Sequence, residues 1–110
     1  MEILKHKVIA TMHKNGLVGI VRDNNEADAM TRTRAIRDGG VSILEISMTT
    51  PGALNIIETV AKEIKENKLE AYIGAGTVLD VETARACILA GSSFIISPNF
   101  NIEVAKMCNR

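Results

Sequence analysis

The chain has 110 residues, of which 46% are hydrophobic, and thirteen basic residues balance thirteen acidic ones. This apolar content is enough for a packed core, so the composition excludes a disordered chain and predicts one domain. The balanced charge and the 3% aromatic content argue against a nucleic-acid-binding surface, so a small neutral or anionic metabolite is the expected partner.

The first predicted element is a lead-in helix within residues 1–16. Leu4, Val8 and Met12 recur at the spacing of one helix face. Gly16 then provides a stop, because it tolerates the left-handed conformation that often ends a helix.

From residue 17 onward the chain repeats one pattern: a short β-branched run ends in a polar or glycine-rich cluster, and a helix-like segment follows. The runs are residues 17–22, 41–47, 71–77 and 93–98. The fourth is continuously apolar in the middle, and the second is apolar there apart from Glu45, as is typical of parallel strands buried on both faces. The repeat therefore predicts an α/β protein built from four βα units.

Capping residues set the expected starts of the helices between these runs. The predicted N-caps in chain order are Asn24 or Asn25, Thr50, Asp80 and Asn101. Pro51 would occupy the first position of the helix that Thr50 begins. The expected helix ends are near Gly39, Asn67 and Gly91.

Two architectures share this alternation. An open doubly wound sheet would carry Gly-x-Gly-x-x-Gly after a strand, but Leu79 replaces the third glycine after Gly74 and Gly76. A closed (β/α)8 barrel needs roughly 200 residues or more. We therefore expect the first half of a TIM barrel, with a lead-in helix over residues 1–16 and four βα units over residues 17–110.

Histidines, cysteines and hydropathy indicate neither a metal site nor a membrane protein. His6 and His13 lack neighbouring metal ligands, so we expect them to face solvent. Cys87 and Cys108 lack zinc or redox spacing and are expected to be reduced packing residues. No apolar run approaches the roughly 20 residues of a membrane span, and residues 1–7 lack a signal-peptide core, so we expect a cytoplasmic protein.

Glu45 is the strongest candidate for chemistry, because its charge interrupts an apolar strand. It alternates with Ile43 and Ser47, so we expect its carboxylate inside the barrel near the carboxyl end of the strand. Desolvation there would favour the protonated form and prepare the group for proton transfer near neutral pH. A structural ion pair between Glu45 and Arg22 is the alternative, and the two interpretations are compatible.

Two further strand ends offer candidate ligand contacts. Gly74 and Gly76 would let a ligand approach the backbone, and Thr77 adds a hydroxyl, although such turns also contain glycine for purely conformational reasons. Ser97 and Pro98 end the fourth run in a rigid turn, where Pro98 would shape a pocket wall.

Together these motifs resemble the 2-dehydro-3-deoxy-phosphogluconate aldolase and 4-hydroxy-2-oxoglutarate aldolase family. The resemblance lies in residues 18–22, 39–51, 73–79 and 90–98 and covers the N-terminal half of the family. It implies a class I aldolase on a (β/α)8 barrel, usually a trimer, in which a lysine on the sixth strand forms a Schiff base with the pyruvyl carbon. It also implies no metal and no other cofactor, and a keto acid or sugar acid phosphate as substrate.

The resemblance also implies roles for particular residues. Glu45 corresponds to the glutamate that shuttles protons in the carbinolamine and enamine steps. Thr77 corresponds to the threonine that helps to hold the pyruvate carboxylate, Arg22 to the arginine that ends the first strand, and Pro98 to the pocket proline. Many members carry arginine where this chain has Thr49, so carboxylate binding would depend on Arg22, Thr77 or backbone amides, with Thr49 as a further contact.

By this resemblance the Schiff-base lysine and the phosphate-binding loops lie beyond Arg110. We therefore expect the 110-residue chain alone to be inactive and the full-length protein to cleave its substrate to pyruvate plus glyceraldehyde 3-phosphate or glyoxylate. The alternative is a non-catalytic half-barrel that binds a keto acid or pairs with another half.

Overall fold

The computed structural model describes residues 3–109, which form five helices and three strands. In chain order the elements are α1 (Leu4–Asn15), β1 (Gly19–Val21), α2 (Glu26–Asp38), β2 (Ile43–Ser47), α3 (Ala53–Glu66), β3 (Tyr72–Gly76), α4 (Val81–Ala90) and α5 (Ile102–Cys108). The α/β class is confirmed, and strands alternate with helices from β1 to α4 as predicted.

The strands form a parallel sheet in the order β1-β2-β3. In the register of this sheet, Ile20 of β1 lies beside Glu45, and Glu45 lies beside Gly74 of β3. Ser47, the last residue of β2, lies beside Gly76. All three strands therefore end at the same edge of the sheet, and the loops that follow them meet there.

The fourth run reaches the sheet but does not form a regular strand. Its one parallel bridge joins Ile95 to Ala75. The Ser93 N–H donates to the Ile73 carbonyl at 2.8 Å, and the Ile96 N–H donates to the Ala75 carbonyl at 2.8 Å. The expected strand over residues 93–98 was thus too long, because Pro98 has no N–H with which to continue the ladder.

The main core lies between one face of the sheet and α3. Leu44 and Ile46 of β2 pack there with Ile56, Ile57 and Val60 of α3, and all five are fully buried. The opposite face of the sheet is covered near the amino end of β2, where α1 contacts that strand. Glu45 projects from this opposite face, towards the carboxyl end.

Most of the predicted helix starts are confirmed. The side chain of Asn25 accepts from the Asp28 N–H at 2.8 Å, and that of Asp80 accepts from the Thr83 N–H at 2.7 Å. The side chain of Asn101 caps α5 in the same manner.

The predicted roles of Thr50 and Pro51 at the start of α3 were wrong. That helix begins at Ala53, and Gly52 is its N-cap. The Thr50 hydroxyl instead accepts from the Asp23 N–H at 3.2 Å. The Thr50 hydroxyl therefore makes a tertiary contact between two loops, although the local sequence predicted that it would cap α3.

An ion cluster joins α2 to α3 on the helical side of the sheet. Arg34 and Arg37 of α2 each donate to the Glu63 carboxylate of α3 at 2.6 Å. These hydrogen bonds lower the pKa of Glu63 to about 2. The cluster therefore links two neighbouring helices that pack on the sheet.

The histidines and cysteines all lie in helices. His6 and His13 of α1 are exposed, as predicted. Cys87 is buried with its Sγ 3.5 Å from the Met48 Sδ, whereas Cys108 is exposed, so the expected packing role was right for Cys87 and wrong for Cys108. Within residues 3–109, no helix is long and apolar enough to cross a membrane.

We expect the isolated 110-residue chain to self-associate, because its sheet leaves apolar surface and unpaired edges exposed. In the described part of the chain β1 pairs only with β2, and Ile20 on the inner face is 62% exposed. Free edges of this kind template pairing with another chain. Size-exclusion chromatography with light scattering should give a mass above 11.9 kDa that falls on dilution, or aggregate. An 11.9 kDa monomer over a wide concentration range would contradict this expectation.

Candidate functional site

Several of the predicted site residues meet at the carboxyl edge of the sheet, where the parallel strands end. Arg22 directly follows β1, Glu45 lies near the end of β2, and Thr77 directly follows β3. The Arg22 Nη2 donates to the Thr77 Oγ1 at 3.3 Å, which joins the outer two strands across β2. Pro98 is exposed and takes no part in this hydrogen-bonded group.

Glu45 is a buried carboxyl group without an ion-pair partner among residues 3–109. Its exposed fraction is 8%. Burial raises the pKa of Glu45 above its usual range, and the positive charge of Arg22 opposes this increase without cancelling it. Arg22 hydrogen-bonds Thr77 rather than Glu45. The expected direction of the pKa shift is therefore confirmed, and Arg22 and Glu45 form no ion pair.

The inner face of β3 makes room for Glu45 because it carries no side chain at its last two inward positions. A Cβ on Gly76 would overlap the Glu45 Oε2 and would lie 2.7 Å from its Cδ. A Cβ on Gly74 would lie 2.6 Å from the aromatic ring of Phe94. The two glycines thus accommodate Glu45 and Phe94, whereas their expected role was to admit a ligand. A direct ligand contact by Gly76 stays a prediction.

Three hydroxyl groups form a cluster beside Glu45. The Ser47 Oγ lies 2.8 Å from the Thr49 Oγ1 and 3.3 Å from the Thr77 Oγ1. We call Ser47, Thr49 and Thr77 the hydroxyl cluster. Ser47 is only 1% exposed and was missing from the predicted site. Its signal in the sequence was its position two residues after Glu45, which puts both side chains on one face of β2.

A hydrogen bond joins the loops after β1 and β2 next to Arg22. Besides the bond between the Asp23 N–H and the Thr50 hydroxyl, the Asp23 carboxylate lies 2.9 Å from the Arg32 Nη1 of α2. Its other oxygen accepts from the Asn24 N–H at 2.7 Å. These contacts fix the backbone directly after Arg22, so Asp23 and Thr50 are site-supporting residues that the sequence analysis missed.

A shallow cavity opens beside the hydroxyl cluster. It has a volume of about 280 Å³, and its lining residues are Met48, Thr49, Thr77, Leu79, Asp80 and Thr83. A larger cavity of about 410 Å³ lies between α4 and α5, but its lining residues are mostly apolar and include none of the predicted site residues. The smaller cavity is therefore the one that adjoins the predicted site, because Thr49 and Thr77 line it.

Residues 3–109 offer neither a lysine nor a group of metal ligands at the carboxyl edge. All the lysines in this range are exposed and lie away from the strands. They are Lys5, Lys7 and Lys14 in α1, Lys62 and Lys65 in α3, Lys68 after α3 and Lys106 in α5. In residues 3–109 no three His, Cys, Asp or Glu side chains are grouped so that they could hold a metal ion.

Comparison with known proteins identifies relatives of this arrangement. The sequence matches the family model described as "KDPG and KHG aldolase" over residues 8–110. It is 30% identical over 101 residues to the 2-dehydro-3-deoxy-phosphogluconate aldolase of Treponema pallidum, covering 92% of this chain and 46% of that protein. It is 36% identical over 78 residues to the KHG/KDPG aldolase of Escherichia coli K12, covering 71% of this chain and 35% of that protein.

A solved structure has the same fold. The chain matches the KDPG aldolase of Legionella pneumophila, whose crystals captured pyruvate as a covalent carbinolamine intermediate, with a TM-score of 0.71 and 26% identity. The match covers 84% of this chain and 43% of that one. The chain therefore spans less than half the length of each of these relatives.

We expect Gly76→Ala to destabilise the chain by about 1–3 kcal/mol, because the new methyl group must displace the Glu45 carboxyl from its space. Urea denaturation of four chains measures this: wild type, Gly76→Ala, Glu45→Ala and the double variant. The Gly76→Ala substitution should cost much less when Glu45 is already alanine. An equal cost in both backgrounds would show that Glu45 does not occupy the space over Gly76.

Proposed function

The chain belongs to the KDPG and KHG aldolase family, and we propose that its carboxyl edge supplies the acid–base and carboxylate-binding half of an aldolase site. The proposed enzyme cleaves 2-dehydro-3-deoxy-6-phosphogluconate or 4-hydroxy-2-oxoglutarate. Its products are pyruvate and an aldehyde, either glyceraldehyde 3-phosphate or glyoxylate. The observation that carries this proposal is the buried Glu45 carboxyl with its raised pKa at the end of β2.

Glu45 is the proposed proton shuttle. In the protonated form it would give its proton to the hydroxyl of the carbinolamine, which leaves as water when the Schiff base forms. The resulting carboxylate would take the proton from the substrate hydroxyl as the carbon–carbon bond breaks and the aldehyde leaves. The same proton would then return to the enamine carbon. A pKa raised by burial suits a group that both gives and takes a proton near neutral pH.

Thr77 and Arg22 are the proposed contacts for the substrate carboxylate. Arg22 is exposed and carries a positive charge beside the hydroxyl cluster, and Thr77 lines the cavity of about 280 Å³. A guanidinium and a hydroxyl are good hydrogen-bond donors to a carboxylate. Thr49 and Pro98 stay predicted substrate contacts.

The Schiff-base lysine is proposed to come from outside these 110 residues. The lysines of the chain are exposed and lie away from Glu45, which supports this assignment. We therefore propose that the 110 residues alone form no pyruvate adduct and that the remaining barrel provides the lysine and the phosphate site. A trimeric assembly, a cytoplasmic location and catalysis without a metal or cofactor stay predictions from the resemblance.

Borohydride trapping with pyruvate tests this proposal on a complete barrel that carries these residues. We expect an irreversible pyruvyl adduct on a lysine outside residues 1–110, and none on the 110-residue chain. Glu45→Gln should lower kcat by about 10²–10⁴-fold and should also slow trapping with pyruvate, because the amide fills the same space but transfers no proton.

Glu58→Gln is the matched control, since Glu58 is exposed on α3, and it should leave both quantities unchanged. Near wild-type kcat for Glu45→Gln would remove Glu45 from the proton-shuttle role. Cleavage without a trappable adduct, or cleavage abolished by a chelator, would indicate a different class of aldolase.

A further inference from the structure

Thr77 has a backbone conformation that its side chain disfavours. Its φ is +58°, in the left-handed region, although threonine is β-branched. Such outliers cost on the order of 1–3 kcal/mol and persist only where surrounding contacts hold them. The contacts of the Thr77 side chain therefore indicate which position of its hydroxyl the strained backbone maintains.

Two side chains hold the Thr77 hydroxyl. The Arg22 guanidinium donates to its oxygen at 3.3 Å, and this bond occupies one acceptor position. The Ser47 Oγ lies at the same distance from that oxygen, on the buried side. Arg22 can only donate, so the Thr77 proton points either to Ser47 or to the open side of the cluster.

The contacts between Thr49 and Ser47 permit the outward direction. The Thr49 backbone N–H donates to the Ser47 Oγ at 3.4 Å, and the Thr49 hydroxyl lies 2.8 Å from the same oxygen. When Ser47 accepts from Thr49, its own proton is available for Thr77. The Thr77 oxygen then accepts from both Ser47 and Arg22, and its proton is left to be donated outwards.

We infer that Ser47 is a positioning residue, which directs the Thr77 hydroxyl proton towards the substrate carboxylate through the order Thr49 to Ser47 to Thr77. This inference rests on the proposed function. Because Ser47 is only 1% exposed, it is out of reach of a substrate and acts through Thr77. The strained backbone of Thr77 keeps its hydroxyl at the junction of Ser47 and Arg22.

Borohydride trapping in the complete barrel gives a direct readout of carboxylate binding, with pyruvate as the probe. Ser47→Ala should raise the pyruvate concentration for half-maximal trapping by about three- to tenfold, the loss expected for one hydrogen bond, with little change in kcat. Ser47→Thr keeps the hydroxyl and should remain near wild type. In a Thr77→Val background, Ser47→Ala should have no further effect.

Thr33→Val is the matched control, because Thr33 is fully buried and its hydroxyl bonds the Ala29 carbonyl within α2. It should not change the half-maximal pyruvate concentration, even where it lowers stability. An unchanged value for Ser47→Ala, equal effects of Ser47→Ala and Thr33→Val, or additive effects of Ser47→Ala and Thr77→Val would overturn the inference.

A second measurement separates this inference from the proposed function. Urea midpoints of the complete barrel should shift non-additively for Ser47→Ala and Thr77→Val, because the two changes remove the same bond. Absence of any adduct in the wild-type barrel would reject the proposed function alone, and additive midpoint shifts would reject the Ser47 assignment alone.

Discussion

The burial of the Glu45 carboxyl is the constraint on which the rest of the site depends. A carboxyl group can leave water only where neighbouring backbone gives it space and where its charge is compensated or suppressed. Here Gly76 gives the space, and no cation pairs with Glu45 within the described chain. Burial therefore shifts the equilibrium of this carboxyl towards its protonated form.

The burial of Glu45 makes the stability of the folded chain depend on pH in a definite direction. Because burial raises the pKa of Glu45, the folded chain holds that proton to higher pH than the unfolded chain does. Its contribution to stability is fully present below the unfolded pKa and is lost as pH rises through the folded pKa. Such a cost at the carboxyl end of a strand is typical of a functional site. The strained Thr77 adds a second cost at the same edge.

Features that depend on local sequence, such as strand faces and most helix caps, were predicted correctly. Side-chain contacts between distant parts of the chain were not. Alternation along β2 correctly put Glu45 opposite the apolar Leu44 and Ile46, and the asparagine and aspartate caps were correct because they bond within one turn. Thr50 was misassigned because its hydroxyl bonds a distant loop. Ser47 was not included in the site although its spacing from Glu45 puts both side chains on one face of β2, because only the fold brings its hydroxyl to Thr77.

The most direct test of this account is the titration of the Glu45 carboxyl by carbon-13 NMR in the 110-residue chain, with the urea-unfolded chain as the reference. The account predicts a midpoint in the folded chain above that of the same group in urea, because burial outweighs the charge of Arg22. Arg22→Gln should move the folded midpoint further upwards. A folded midpoint at or below the unfolded value would contradict the central claim that Glu45 is held ready to give a proton.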